Sequence, residues 1–177
     1  MTRWRGSGMK ITTKQLTLCA VLAALALALS YVEGMFPLPV PLPGFKLGLA
    51  NIVTVYALYA LGAMPALAIL LVRVLLGAMF AGNASALIYS LLGGFAAMLA
   101  MIALKRFDKL SVYGVSVGGA AAHNCGQVAA AVLTLGSTAP LAYLPVLLVV
   151  SLLSGALTGF IASLLFRAMA NTKIMKP

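Results

Sequence analysis

Three polar side chains interrupt the middle of a long apolar segment, Ser111 to Leu135: His123, Asn124 and Gln127. Hydrocarbon offers such groups no hydrogen-bond partner. At about 100° per residue, Ser116, His123 and Gln127 lie on one face of a helix, with Asn124 at its edge. We expect this face to contact protein or a wet cavity. The imidazole and the amides then either bind a polar ligand or hold neighbouring helices together by hydrogen bonds.

Arg73 lies near the centre of another apolar segment, at about the depth of His123 when helices rise about 1.5 Å per residue. A guanidinium in hydrocarbon costs roughly 2.5–3.5 kcal/mol, so we expect it to face the interior of a helix bundle. The acids in the sequence are Glu33 and Asp108, and Glu33 is within reach only if the helices are arranged favourably. A phosphate or carboxylate would complete the site, because arginine binds such oxygens in bidentate fashion. The alternative is an arginine that snorkels or binds helix-end carbonyls.

These residues predict a ligand pocket rather than a catalytic centre. The predicted lining consists of Arg73, His123, Asn124 and Gln127, with Asn51, Lys46 and Tyr89 nearer the outer mouth. The sequence contains no paired carboxylates, glycine-rich phosphate loop, Ser–His–Asp set or Cys/His metal pattern. We therefore expect no catalytic residue, metal or cofactor on this chain, and we lean against an enzyme. ATP, if transport uses it, would be hydrolysed by another chain.

Composition predicts a polytopic membrane protein. Of 177 residues, 63% are hydrophobic and only 8% are charged, and the mean hydropathy is +1.12. A soluble domain of this size would need more charge to cover its surface. The formal charge of +10 comes from 12 Lys and Arg against two acids, and the basic residues lie mostly between apolar segments. This pattern is typical of cytoplasmic loops and argues against a nucleic-acid partner.

The charge pattern divides the chain into a basic cytoplasmic segment (1–15), a transmembrane domain (16–167) and a basic cytoplasmic tail (168–177). The fold class is all-α, with six transmembrane helices and both termini in the cytoplasm. The predicted spans are 16–31, 46–61, 66–80, 84–104, 111–135 and 141–166.

Two further patterns lie near the N-terminus. Ala20, Ala24 and Ala28 recur every fourth residue, which gives the first helix a shallow face for internal packing or for docking a partner helix. Alternating prolines between Phe36 and Gly44 forbid a helix and favour an extended loop, either a plain connector or a cap over the bundle.

Several motifs resemble the small membrane proteins called Gx transporters, also labelled heptaprenyl diphosphate synthase component I: LPGFKLGLANIVTVYAL, RVLLGAMFAGNASALIYSLLGG and SVYGVSVGGAAAHNCGQVAAA. These proteins are similar to the substrate-binding S components of energy-coupling factor (ECF) transporters. The resemblance implies a six-helix bundle with an extracytoplasmic ligand pocket and a lid formed by the first outer loop. It also implies an alanine ladder that docks on a shared transmembrane subunit, while two further subunits hydrolyse ATP.

The sequence therefore predicts the substrate-binding subunit of an ECF-type importer in the bacterial plasma membrane, with lipid around it. Its ligand would be a small anionic micronutrient or an isoprenoid or cofactor precursor. The alternative is a noncatalytic membrane component of heptaprenyl diphosphate synthesis that binds a soluble prenyltransferase. Prenyl elongation needs aspartate-rich motifs that hold Mg²⁺, and this chain has one Asp, so it cannot carry that catalysis alone.

Overall fold

The computed structural model describes residues 12–35, 48–81 and 84–170. They form α1 (Thr13–Met35), α2 (Leu49–Ala60), α3 (Ala63–Ala81), α4 (Ala84–Lys105), α5 (Val112–Leu135) and α6 (Leu144–Ala170), with a short 3₁₀ helix at Ala139–Tyr143. The predicted all-α class is confirmed, and each predicted span overlaps one of these helices. Lys46 and the proline-rich loop lie outside the described residues.

Helix length and hydropathy fit a multi-pass membrane protein. Four segments are long and apolar enough to cross a bilayer: Thr13–Met35, Ala63–Phe80, Ser85–Lys105 and Ala139–Ala168. The other two helices differ for separate reasons. α2 has 12 residues, which is about 18 Å at 1.5 Å per residue. α5 has 24 residues but carries the polar face, which lowers its hydropathy. Six complete spans, and the side of the membrane on which the termini lie, stay predictions.

The helices form a ring in which α2 contacts α6, α6 contacts α5, α5 contacts α4, α4 contacts α3, and α3 returns to α2. α1 packs against α2 and α3 at the edge of this ring. Eight of the 12 residues of α2 are buried, from Ala50 to Leu58. A helix that is apolar nearly all round must be enclosed by others, so its composition accounts for its position between α1, α3 and α6.

Glycines mark the closest helix crossings. A Cβ added at Gly126 of α5 would lie 2.5 Å from the Leu92 carbonyl oxygen of α4. A Cβ at Gly155 of α6 would lie 2.5 Å from Val117 Cα of α5. Both neighbours are backbone atoms, which cannot rotate away. The small residues therefore let α4, α5 and α6 approach one another closely.

The end of the bundle that contains Lys105 and Arg106 is here called the basic end. There the Lys105 ammonium donates a 2.8 Å hydrogen bond to the Leu58 carbonyl, in the last turn of α2. The same ammonium lies 4.7 Å from the ring centroid of Tyr59, which packs edge-on against Phe166 of α6. Lys105 thereby donates to a carbonyl that has no partner within the helix, and its positive charge interacts favourably with the negative end of the α2 dipole.

Replacing Lys105 by methionine is expected to destabilise the protein by about 1–2 kcal/mol, because a hydrogen bond and a cation–π contact are lost together. Thermal unfolding of the purified protein measures the effect. Lys109→Met is the matched control, since Lys109 is exposed in the same loop region. Equal unfolding temperatures for the two variants would contradict the assigned role of Lys105.

Candidate functional site

A cavity of about 40 Å³ lies where five helices meet, and we call it the Arg73 cavity. α1 contributes Glu33, α3 contributes Arg73, and α5 contributes His123 and Gln127. The remaining lining residues are Gly48, Ala50, Asn51, Val74 and Ser90. Six of the nine lining residues are polar or charged, in a bundle whose core is mainly apolar.

Arg73 places a buried positive charge in this cavity. Its side chain is only 8% exposed, and its Nε has no hydrogen-bond acceptor among the described residues. Burying a donor without an acceptor costs about 1–3 kcal/mol, and more when the donor is charged. The Nε–H of Arg73 therefore requires an acceptor from outside the described residues.

Glu33 provides negative charge in the same cavity. It is 8% exposed, and its carboxylate interacts electrostatically with Arg73. One oxygen accepts a 2.7 Å hydrogen bond from the backbone N–H of Gly48, directly before α2. A carboxylate is favourable at this position because the N-terminal end of a helix carries partial positive charge. The sequence leaves the position of Glu33 open, and the structure brings it beside Arg73.

His123 and Gln127 lie one turn apart on α5, against Gly93 of α4. A Cβ at position 93 would lie 2.9 Å from both His123 Cε1 and Gln127 Cγ. The absence of a side chain there gives these two residues room at the cavity wall. Gln127 is 6% exposed, so its amide is held within the bundle.

A second, smaller cavity of about 10 Å³ extends from the same region toward the basic end, and we call it the Ser116 cavity. Its polar lining residues are Asn51, Ser116, His123, Asn124, Ser154 and Thr158. Gly48, Asn51 and His123 line both cavities, so the two are adjacent. Ser116 is 2% exposed, and its hydroxyl has no hydrogen-bond partner among the described residues.

The other residues predicted for the pocket have different surroundings. Asn124 donates a 2.9 Å hydrogen bond to the Leu147 carbonyl, so its amide also joins α5 to α6. The Tyr89 hydroxyl lies 3.2 Å from the Thr134 hydroxyl and is not part of either cavity wall described above. Lys46 lies outside the described residues. The predicted docking residues, Ala20, Ala24 and Ala28, are all exposed on α1.

Sequence reasoning did not single out the α6 side of the site. Ser154 and Thr158 are 8% and 5% exposed, and both line the Ser116 cavity. Their spacing of four residues places both hydroxyls on one helix face, which was the available signal. The neighbouring residues Gly155 and Gly159 predict close helix packing. The sequence of α6 is therefore interpreted as a packing surface rather than as part of a polar site.

Comparisons with known proteins agree with this architecture. The sequence matches the family model described as heptaprenyl diphosphate synthase component I over residues 22–165. The chain belongs to this family. No functionally curated protein matches the sequence.

The fold of this family member is similar to a solved structure described as the S component of a bacterial ECF transporter. The TM-score is 0.62 at 20% sequence identity, and the match covers 89% of this chain and 96% of the other. At this identity the likeness establishes the shared fold.

Proposed function

We propose that this protein is the substrate-binding membrane subunit of an ECF-type importer, and that it binds a small ligand with an anionic group. The observation that carries the proposal is Arg73, which is buried in a cavity with an Nε that has no acceptor among the described residues. A phosphate or carboxylate would satisfy that donor and pair with the charge. Gln127, His123 and Asn51 line the same cavity and can bind further polar groups of the ligand.

The fold supports the same proposal. The similar solved structure is an S component, and nearly all of that chain is covered by the match. We propose that ATP is hydrolysed by partner subunits of the importer, because this sequence lacks a glycine-rich phosphate loop. The membrane would be the bacterial plasma membrane.

Ligand retention tests this function. The full-length protein, purified in mild detergent, is dialysed against a water-soluble bacterial metabolite extract, and mass spectrometry compares bound with free concentrations of each compound. We expect one compound or a small related set to be enriched on the protein. Heat-unfolded protein is the control. Absence of any enriched compound over a range of extract concentrations would contradict the proposal.

The exposed alanine face of α1 is proposed to dock on the energy-coupling transmembrane subunit. Ala24→Leu is expected to abolish co-purification with that subunit, because the added side chain keeps the helix backbones apart, while ligand retention is unchanged. Ala129→Leu is the matched control, since Ala129 is an exposed alanine on α5. Co-purification that survives Ala24→Leu would exclude this face as the docking site.

A noncatalytic subunit of heptaprenyl diphosphate synthesis is the second candidate, favoured by the family description. The chain would then present a precursor to a soluble prenyltransferase, because its two acids cannot form the aspartate-rich Mg²⁺ sites of that reaction. Co-purification separates the candidates. The importer subunit brings down energy-coupling and ATPase subunits, and the synthase subunit brings down a prenyltransferase.

A further inference from the structure

The Ser116 cavity continues the Arg73 cavity toward the basic end of the bundle. Asn51 and His123 line both spaces, so a molecule that reaches past them from Arg73 meets α5 and α6 next. Three of the residues beyond them carry hydroxyl groups, Ser116 on α5 and Ser154 and Thr158 on α6, while apolar residues such as Val55, Ala97 and Met101 form other parts of the wall.

The Ser116 hydroxyl requires a hydrogen-bond partner in the Ser116 cavity. Its hydroxyl is buried without a partner among the described residues, which costs free energy unless another polar group fills the space. Hydroxyls both donate and accept hydrogen bonds, so three of them suit a neutral polar group better than an ion. Among the described residues, no Asp, Glu, Lys or Arg side chain lines the Ser116 cavity.

The size of the space limits what can enter it. A space of about 10 Å³ holds about one water-sized group, so a branched hydrocarbon unit would enter only by displacing the lining side chains. A prenyl chain would also cover the three hydroxyls without bonding to them, which is unfavourable in a buried site.

We infer that the Ser116 cavity is a subsite for a neutral hydrogen-bonding group of the ligand, such as a hydroxyl, carbonyl or amide. The inference rests on the proposed function, and it narrows the substrate class. The ligand carries an anionic group at Arg73 and a neutral polar group at its inner end, and it is not a prenyl diphosphate.

Ser116→Ala tests the subsite by dialysis of the full-length protein against the metabolite extract. We expect the bound-to-free ratio of the enriched compound to fall on the order of 10-fold, because its polar group loses a partner in a buried site. The unfolding temperature should stay the same or rise, since the variant removes an unpartnered hydroxyl. Thr158→Val, which replaces a hydroxyl by a methyl group of similar size, should have the same effect on retention.

Ser163→Ala is the control. The Ser163 hydroxyl bonds to Phe160 O and lies 3.2 Å from the Tyr113 hydroxyl, outside both cavities, so its loss should leave retention unchanged. Retention by Ser116→Ala and Thr158→Val equal to that of the unsubstituted protein would overturn the subsite and leave water as its occupant, while the proposed ligand function would stand. If the unsubstituted protein retains nothing, the proposed function fails, and the subsite fails with it.

Farnesyl diphosphate serves as the probe of a prenyl ligand. We expect it not to displace the enriched compound at concentrations up to 100-fold above that of the compound. Farnesyl diphosphate would then bind at least about 100-fold more weakly, a difference of about 2.7 kcal/mol in binding free energy. If farnesyl diphosphate displaces the compound from the unsubstituted protein, and displaces it equally well or better from the Ser116→Ala variant, the assignment of the substrate class is overturned.

Discussion

Arg73→Gln is expected to weaken ligand retention on the order of 100-fold, because an anionic group left without its cation in a buried site loses about 2–5 kcal/mol. The Arg73 side chain is 8% exposed, so water cannot easily replace it as a partner. Dialysis of the full-length protein against the metabolite extract measures the ratio of bound to free compound.

Arg73→Lys separates the contribution of charge from that of geometry. Lysine keeps the positive charge and its interaction with Glu33, but it lacks the planar fork that binds two oxygens together. We expect retention about 10-fold weaker than that of the unsubstituted protein, which lies between the unsubstituted protein and Arg73→Gln. Arg106→Gln, at an exposed arginine of the basic end, is the control and should retain the compound fully. Full retention by Arg73→Gln would show that the ligand binds elsewhere.

Gly126→Ala is expected to cause a large loss of stability for the addition of a single methyl group. The new Cβ would lie 2.5 Å from Leu92 O and 2.9 Å from Gly93 Cα, and both are backbone atoms of α4. Overpacking of this kind costs about 1–3 kcal/mol, so we expect the unfolding temperature to fall by about 5 °C or more. His123 and Gln127, which pack against Gly93, would shift with the helix, and ligand retention should fall as well.

Gly77→Ala is the matched control for that substitution. A Cβ at Gly77 of α3 would meet Leu27 Cδ1 at 3.7 Å, an ordinary contact, and alanine favours the helix by about 1 kcal/mol over glycine. Its unfolding temperature should stay the same or rise. An unfolding temperature of Gly126→Ala equal to that of Gly77→Ala would contradict the close crossing of α4 and α5.

The bounds of α5 follow from the sequence because its apolar segment lies between a residue that begins a helix and one that ends it. Ser111 precedes α5, and its hydroxyl accepts a hydrogen bond from the Gly114 N–H. Gly136 follows α5 with a φ of 61°, a left-handed conformation that glycine adopts without strain. These local signals depend on neighbouring residues alone, so they can be read without knowing the fold.

Which residues form the site is only partly predictable, because it depends on contacts between distant parts of the chain. Depth along a helix follows from counting residues, and it brings Arg73 and His123 to one level. Which helices are neighbours depends on packing of the whole ring. Glu33 reaches Arg73 because α1 packs against both α2 and α3, and Thr158 reaches the site because α6 contacts both α2 and α5. Neither arrangement has a signal in the local sequence.

Asn124 illustrates the two roles that a polar residue in a membrane bundle can combine. The sequence leaves open whether its amide lines a cavity or joins two helices. In the structure it lines the Ser116 cavity and also donates to Leu147 O of α6. Its contribution to ligand binding stays a prediction, whereas its contribution to helix packing is visible in that hydrogen bond.

An experimental structure of the full-length protein with its enriched compound bound would locate the ligand directly. We expect an anionic group of the compound within hydrogen-bond distance of the Arg73 guanidinium, and a neutral polar group beside Ser116. A compound bound outside the two cavities, with Arg73 contacting only protein or water, would show that neither cavity is the ligand site.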